Sequence, residues 1–284
     1  MGLASPQPLV ILCLDMDGTL LDANEQVHPN DVRILQHLPP GIQIILTTGR
    51  PLHSAKPALQ LNGIFQEQKL PIPGVFMNGG VAYYPNEQLC LEIPLSPETG
   101  QKIYKLSTRF PDSEFVFFTV SEAYLANRTT FGDQVVKDHH INAVGEISGD
   151  LPDTIIKVMA FNDDPHELEK MRRATRHLNA EIAYSLPYII EFNPPGVTKG
   201  ATLFQLMKEL ALENRPIFAA GDGENDLSLF AMAKRSFAPD SARPTVLAQA
   251  DQIIPRNKNG LLLPILEQIG SLSANDDYPK RPEM

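Results

Sequence analysis

The chain has 284 residues, 43% of them hydrophobic, enough to bury a substantial core and a better fit to two compact domains than to one. A formal net charge of -10 with no block of Lys or Arg excludes broad binding to nucleic acid or to anionic membranes, and leaves a small molecule as the expected partner. Two cysteines, Cys13 and Cys90, lie in unrelated parts of the pattern and offer neither a disulfide framework nor a zinc site.

The first element is the apolar run 9–14, which carries no polar alternation and reads as a strand buried on both faces, as in a parallel sheet. Its carboxyl end, where such sheets place their chemistry, continues as Asp15-Met16-Asp17-Gly18-Thr19-Leu20. Two carboxylates stand there two residues apart, and Gly18 lets the chain turn back across the sheet edge, so a metal and a phosphoryl group can sit between them. A helix is expected over 30–38 and a second strand over 42–46, delivering Thr47-Thr48-Gly49-Arg50 to the same edge. Thr48, just before the glycine, is the better placed hydroxyl, and Gly49 offers an unobstructed backbone amide. Arg50 either supports a phosphate site or pairs with a carboxylate. The helical stretch 52–61 contains Pro57, which is expected to kink it or split it in two. A third strand, 74–77, runs into Asn78-Gly79-Gly80 and then a hairpin of 81–84 with 89–93; Asn-Gly is itself a common tight-turn pair.

A different character begins near Ser96. Helical stretches at 97–109 and 165–178 alternate with runs that read as antiparallel strands at 115–120, 124–127, 155–161, 182–185 and 188–192, the pattern of an inserted α+β domain. The chain returns through a stiff turn, Asn193-Pro194-Pro195-Gly196, to Thr198-Lys199-Gly200. These open an apolar helical pattern (Leu203, Leu206, Met207, Leu210) and place a lysine in the first turn, beside the positive helix end. Further strands are expected over 216–220, 236–238 and 252–254, the last two separated by a short helix. The first leads into Gly221-Asp222-Gly223-Glu224-Asn225-Asp226, where two glycines turn the chain tightly around a second acidic cluster suited to a metal. From Ser271 a polar tail is expected to be frayed.

This ordered set of motifs, each at the end of a strand or the start of a helix, resembles the haloacid-dehalogenase-like hydrolase superfamily and within it the Cof-type phosphatases, over about 9–269. The resemblance implies an α/β fold: a Rossmann-like, doubly wound parallel core in two parts, 1–94 and 195–270, an inserted α+β cap domain over 95–194, and a flexible tail over 271–284. It implies Asp15 as nucleophile and Asp17 as general acid/base, with Thr48, Gly49 and Lys199 holding the transferring phosphoryl. It further implies Mg2+ bound by Asp15, by the backbone carbonyl of Asp17 and by Asp222, with Asp226 and Asn225 in support. In the family the turn at Asn78 borders the active site, and the cap closes over it to exclude water and read the leaving group.

Chemistry asks for these residue types independently. A carboxylate can attack phosphorus and form an aspartyl-phosphate, replacing one hard displacement by two easier ones. A second acid can protonate the leaving alkoxide and later take a proton from water. Two anions and a phosphate dianion need counter-charge, which a hard, oxygen-seeking ion supplies, and Lys199 and the Thr48 hydroxyl add a fixed charge and a donor. The expectation is a magnesium-dependent phosphatase acting on a small organic phosphomonoester, a sugar or cofactor phosphate. A phosphomutase or phosphotransferase using the same intermediate is the nearest alternative; a phospho-acceptor signalling domain is more distant, being smaller and needing no acid at Asp17. In the inserted domain Arg128, Lys137, His139, His140, Lys157 and Glu191 are candidate readers of the leaving group, though isolated charges there are more often solvated or structural. If it lies in a strand, the adjacent pair His139-His140 faces opposite sides, and it has no partner at a persuasive metal-ligand spacing. Phe237-Ala238-Pro239-Asp240-Ser241-Ala242-Arg243 departs from the family pattern, with aspartate or serine where many relatives carry asparagine. The opening residues 1–8 lack a charged segment followed by an apolar core, and no run approaches the roughly 18 apolar residues of a membrane span, so a cytoplasmic location is expected.

Overall fold

In the computed structural model, which describes residues 10–256 and 258–271, the first apolar run forms β1 (Val10–Leu14). It is followed by α1 (Pro29–Gln36), β2 (Ile42–Thr47), α2 (Leu52–Leu61), β3 (Gly74–Phe76), β4 (Val81–Tyr84) and β5 (Gln88–Glu92). Next come α3 (Pro97–Ser107), β6 (Glu114–Phe118), β7 (Ala123–Ala126), α4 (Thr130–Asp138), β8 (Ala143–Glu146), β9 (Lys157–Phe161), α5 (Pro165–Thr175), β10 (Glu181–Leu186) and β11 (Ile189–Asn193). The chain closes with α6 (Lys199–Glu209), β12 (Ile217–Ala220), α7 (Leu227–Phe230), β13 (Arg235–Pro239), α8 (Pro244–Leu247), β14 (Gln252–Ile254) and α9 (Leu262–Ser271).

The strands form two sheets. The first has the order β14-β13-β12-β1-β2-β3-β4-β5, parallel from β14 to β3 and finished by an antiparallel hairpin. β1 is apolar throughout because both its faces are covered. Leu12 and Leu14, with Ile44 and Leu46 of β2, pack toward α1, α2 and α9, whereas Ile11 and Cys13, with Ile45, pack on Leu203, Leu206 and Met207 of α6. Each such side chain contributes on the order of 1.5–3 kcal/mol when fully buried, so a charge at either face of β1 would not be tolerated. The chain leaves β1 toward β2 on one side and meets β12 on the other, a change of direction that opens a crevice at the carboxyl ends of all three strands.

The second sheet, β10-β11-β9-β6-β7-β8, is drawn wholly from the inserted segment. Phe115, Phe117, Val158 and Phe192 pack on Ile103 of α3 and on Leu168 and Met171 of α5. The opposite face, with Val116, Phe118, Met159 and Phe161, joins the same apolar cluster as Leu12 and Phe76, so hydrophobic packing runs unbroken from the core into the cap.

Several expectations are corrected. Pro57 does not split its helix in two: α2 runs from Leu52 to Leu61 with the exposed Pro57 inside it. α4 and β8 were not expected. The five expected strands of this domain pair antiparallel, and the unexpected β8 adds to β7 in parallel. His139 and His140 stand at the C-terminal end of α4 and not in a strand. Of the expected tail only Ser271 is described, as the last residue of α9; residues 1–9 and 272–284 lie outside the described residues. Among those described, no helix is long and apolar enough to cross a membrane.

Candidate active site

The carboxyl ends of β1, β2 and β12 and the first turn of α6 meet at one place. Asp15 continues β1, its amide donating to the carbonyl of Ala220 at the end of β12 (3.0 Å). Lys199 enters from α6, whose start is fixed by the Thr198 hydroxyl accepting from the Ala201 amide (3.1 Å). The Lys199 ammonium donates to Asp15 Oδ1 and to Asp226 Oδ1, both at 2.7 Å, and its side chain is wholly shielded from solvent. Asp226 is equally engaged on its other oxygen, which accepts from the backbone amides of Asp222 and Gly223 at 3.0 Å each. Asp222 lies across from them, one oxygen accepting from the Thr19 hydroxyl at 3.3 Å. Gly18, at φ +74°, passes so close to the Asp222 carboxylate that any Cβ there would collide with it. One oxygen from each of Asp15, Asp222 and Asp226 falls within 4.8 Å of the others.

The donor set consists of hard oxygens. Three carboxylates against one ammonium leave a formal excess of two negative charges, which a divalent cation of the Mg2+ type balances, so the residues present fit such an ion. Burial, with the Asp226 charge behind it, pushes Asp15 well above the usual carboxylate range despite Lys199. Burial would lower Lys199, but the Asp15 and Asp226 charges outweigh it and hold the ammonium above its ordinary value. Asp222 is pushed up to about 6, by burial and then by Asp226.

Stripped of metal, the folded state thus keeps a proton on Asp222 up to about pH 6, while the unfolded chain releases it near 3.8. The folded state binds the extra proton between these values, so this group makes stability fall as pH rises through them. Urea unfolding in chelator at about pH 4.5 and about pH 7 should therefore show Asp222→Asn gaining stability relative to the parent at the higher pH. A difference that does not change with pH would refute it.

The remaining expected residues surround this cluster. Thr48 is buried, and its hydroxyl accepts from the Arg50 amide at 3.1 Å, leaving its hydrogen to be donated. The neighbouring Thr47 is buried with its hydroxyl unpartnered. Gly49 lies against the Asn78 side chain, whose Oδ1 a Cβ would meet at 3.0 Å. Asp17 is set apart from the buried acids: its side chain is 53% exposed, and its carboxylate is held by Arg50, from Nε at 2.8 and 3.1 Å and from Nη2 at 2.5 Å. Arg50 thus pairs with a carboxylate, and its Nη2 also reaches Glu25. Asn225 does not turn to the acidic cluster with its amide but donates to Asn78 Oδ1 at 2.9 Å, and Asn78 in turn donates to Glu191 of the cap, also at 2.9 Å. Glu191 is paired with Lys157 in the buried interior at 2.9 Å, which joins two of the cap candidates to the core turn.

Sequence reasoning missed Thr19, Glu25 and Arg256. Thr19 directly follows the glycine of the first acidic motif, a detectable signal. Arg256 donates to the carbonyls of Gly18, Thr19 and Leu21 and so clasps the loop beyond Asp17, but nothing in its surroundings marks it. The divergent turn also reaches the site through its backbone, the Arg243 amide donating to the Asp222 carbonyl at 3.2 Å.

Comparison with known proteins places this arrangement. The sequence model described as haloacid dehalogenase-like hydrolase matches residues 12–263. The chain is 26% identical to 5-amino-6-(5-phospho-D-ribitylamino)uracil phosphatase YwtE of Bacillus subtilis, over 81% of this chain and 87% of that protein. The crystal structure of TM0651 from Thermotoga maritima superposes with a TM-score of 0.78 at 22% identity, covering 94% of this chain and 99% of that one. That of BT4131, described as a subclass IIB sugar phosphatase, does so with a TM-score of 0.74 at 18% identity, covering 92% and 99%.

Proposed function

We propose that this chain, which belongs to the haloacid dehalogenase-like hydrolase family, is a Mg2+-dependent phosphatase that cleaves a small organic phosphomonoester through an aspartyl-phosphate. The observation that carries this reading is the Lys199 ammonium shared by Asp15 and Asp226, with Asp222 in the same oxygen cluster. It leaves one oxygen of Asp15 unbonded to Lys199, the oxygen we assign as nucleophile.

That oxygen attacks phosphorus, the bond from phosphorus to the leaving oxygen breaks, and the departing alkoxide takes the proton that Asp17, entering this step as the carboxylic acid left by the preceding turnover, carries. Water then attacks the aspartyl-phosphate, passing a proton to the Asp17 carboxylate; inorganic phosphate leaves and Asp15 is restored. Lys199, the Thr48 hydroxyl and the Gly49 amide hold the phosphoryl oxygens as their charge redistributes. Asp15, the Asp17 carbonyl and Asp222 would hold Mg2+, which when bound supplies the positive charge that lets anionic nucleophile and anionic substrate approach. Asp226, held by Lys199 and two amides, supports that site, and Asn225 supports it from the Asn78 side.

The substrate class we favour is a sugar or cofactor phosphate. The activities named for YwtE and BT4131 support it, and a net charge of -10 disfavours polyanionic partners. A panel of such metabolite phosphates, assayed for released phosphate, tests the class. Hydrolysis should require Mg2+, vanish with chelator and return on adding the ion back, while Ca2+ substitutes poorly because its looser coordination misplaces the nucleophile. Full activity in metal-free buffer would refute the proposal.

A further inference from the structure

The cap meets the catalytic edge through the C-terminal end of α4, far along the chain from both of its connections to the core. There the His139 carbonyl accepts from the Ser54 hydroxyl at 3.2 Å, and His140 Nε2 lies 3.0 Å from Glu25 Oε2. The other oxygen of Glu25 accepts from Arg50 Nη2 at 2.5 Å, and Arg50 grips both oxygens of Asp17. A continuous line of contacts thus joins one cap side chain to the Asp17 carboxylate.

Glu25 and His140 both adopt left-handed backbone conformations, at φ +57° and +50°. The segment carrying Glu25 is fixed from behind by Asn62, whose amide donates to the Glu25 carbonyl at 2.9 Å and whose oxygen accepts from the Val27 amide at 2.8 Å. Arg50 is well suited to pass on position: its planar fork presents donors at fixed angles, so where one arm is held by Glu25, the direction offered to Asp17 is set. Asp17 needs such a constraint, because its side chain is half exposed and the bonds holding its carboxylate come from Arg50.

We infer that Arg50, Glu25 and His140 position Asp17 for proton transfer to the leaving group, and that the cap contact at His140 completes this arrangement. The inference rests on the reading of Asp17 as general acid. Cap docking and leaving-group protonation become one event: a substrate over which the cap has not closed meets a less well aimed acid. Arg50, Glu25 and His140 are positioning residues, since each acts through the next and Asp17 alone meets the substrate.

The test is single-turnover release of the leaving group in Mg2+, from an alkyl phosphate that needs protonation and from an activated aryl phosphate that does not. Since a positioned acid is worth roughly 10² to 10⁴ in rate, losing part of its positioning in His140→Ala or Glu25→Ala should slow the alkyl ester about tenfold and the aryl ester less than about twofold. His140→Gln, whose amide can still donate to Glu25, should restore most of the loss. Asp17→Asn in the same assay is the reference and should be the most selective against the alkyl ester. If Asp17→Asn is selective but His140→Ala slows both esters equally, or neither, the positioning inference falls while the acid assignment stands. If Asp17→Asn shows no selectivity, the acid assignment itself falls.

Discussion

Replacing Asp15 with Asn should abolish turnover and covalent labelling together, whereas Asp17→Asn should still accept a phosphoryl group from an activated ester and then release it slowly. The two acids differ in kind. Asp15 is buried and bonded to Lys199, and an amide in its place keeps an oxygen that can accept that bond but is no nucleophile toward phosphorus. Asp17 is outward and bonded to Arg50, and loss of its proton chemistry should reduce steady-state turnover by roughly 10² to 10⁴ without removing the attacking group. Rapid-quench mass measurement on both variants reads the adduct directly. A phosphorylated Asp15→Asn protein, or full turnover by Asp17→Asn, would reverse the assignment. Circular dichroism of both variants should match the parent, which separates lost chemistry from lost structure.

Lys199→Met should cost both activity and stability. The ammonium is bonded to both Asp15 and Asp226, and these carboxylates are almost wholly shielded from water. Removing one partner from a buried ionic group leaves uncompensated charge and typically costs about 3–5 kcal/mol, a large share of a domain's stability. The sign of the pH dependence follows from Asp15. Its carboxyl already sits above the usual range because of burial and the Asp226 charge, and loss of Lys199 raises it further. A carboxyl whose folded-state pKa is raised binds its proton more readily when folded, so the penalty of the substitution should shrink as pH falls and grow as pH rises. Urea midpoints in chelator at about pH 5 and about pH 8 should diverge from the parent most at the higher value. A variant as stable as the parent at the higher value would show that the buried cluster carries less charge than its geometry implies.

The parts of the fold that were legible in the sequence are those where one physical rule dominates. β1, β2 and β12 are covered on both faces and read as continuous apolar runs, and the acidic, hydroxyl and glycine residues stand directly at their ends. α4 and β8 had no comparable pattern. Only Gly132 and Val135 of α4 are buried, and three of the four residues of β8 are exposed, with Gly145 among them. The site divides in the same way. Asp15, Lys199, Asp222 and Asp226 belong to compact motifs and the structure brings them together. The contacts of Glu25 and Arg256 join residues 115 and 238 positions apart, and no local spacing encodes such a meeting. Asn78 was ambiguous between turn and site for a good reason: it has a left-handed backbone, as an Asn-Gly turn demands, and its side chain also bridges Asn225 and Glu191.

The central place of β1 between β2 and β12 has a consequence for synthesis. Asp15 and Lys199 are 184 positions apart, and β12, the second neighbour of β1, follows later still. At about 5–20 residues per second a ribosome needs on the order of 10–40 s to cover that distance, so for this time the nascent β1 can pair with β2 but has an open, apolar edge on its other side. The cap strands all emerge within that interval and pair among themselves, so the inserted domain can form its own sheet before the core around it is complete. A ribosome stalled before residue 217 would therefore hold a chain with a sheet already formed in the cap and an unprotected strand edge beside Asp15. Such a stalled intermediate should bind chaperones and aggregate far more readily than the finished chain.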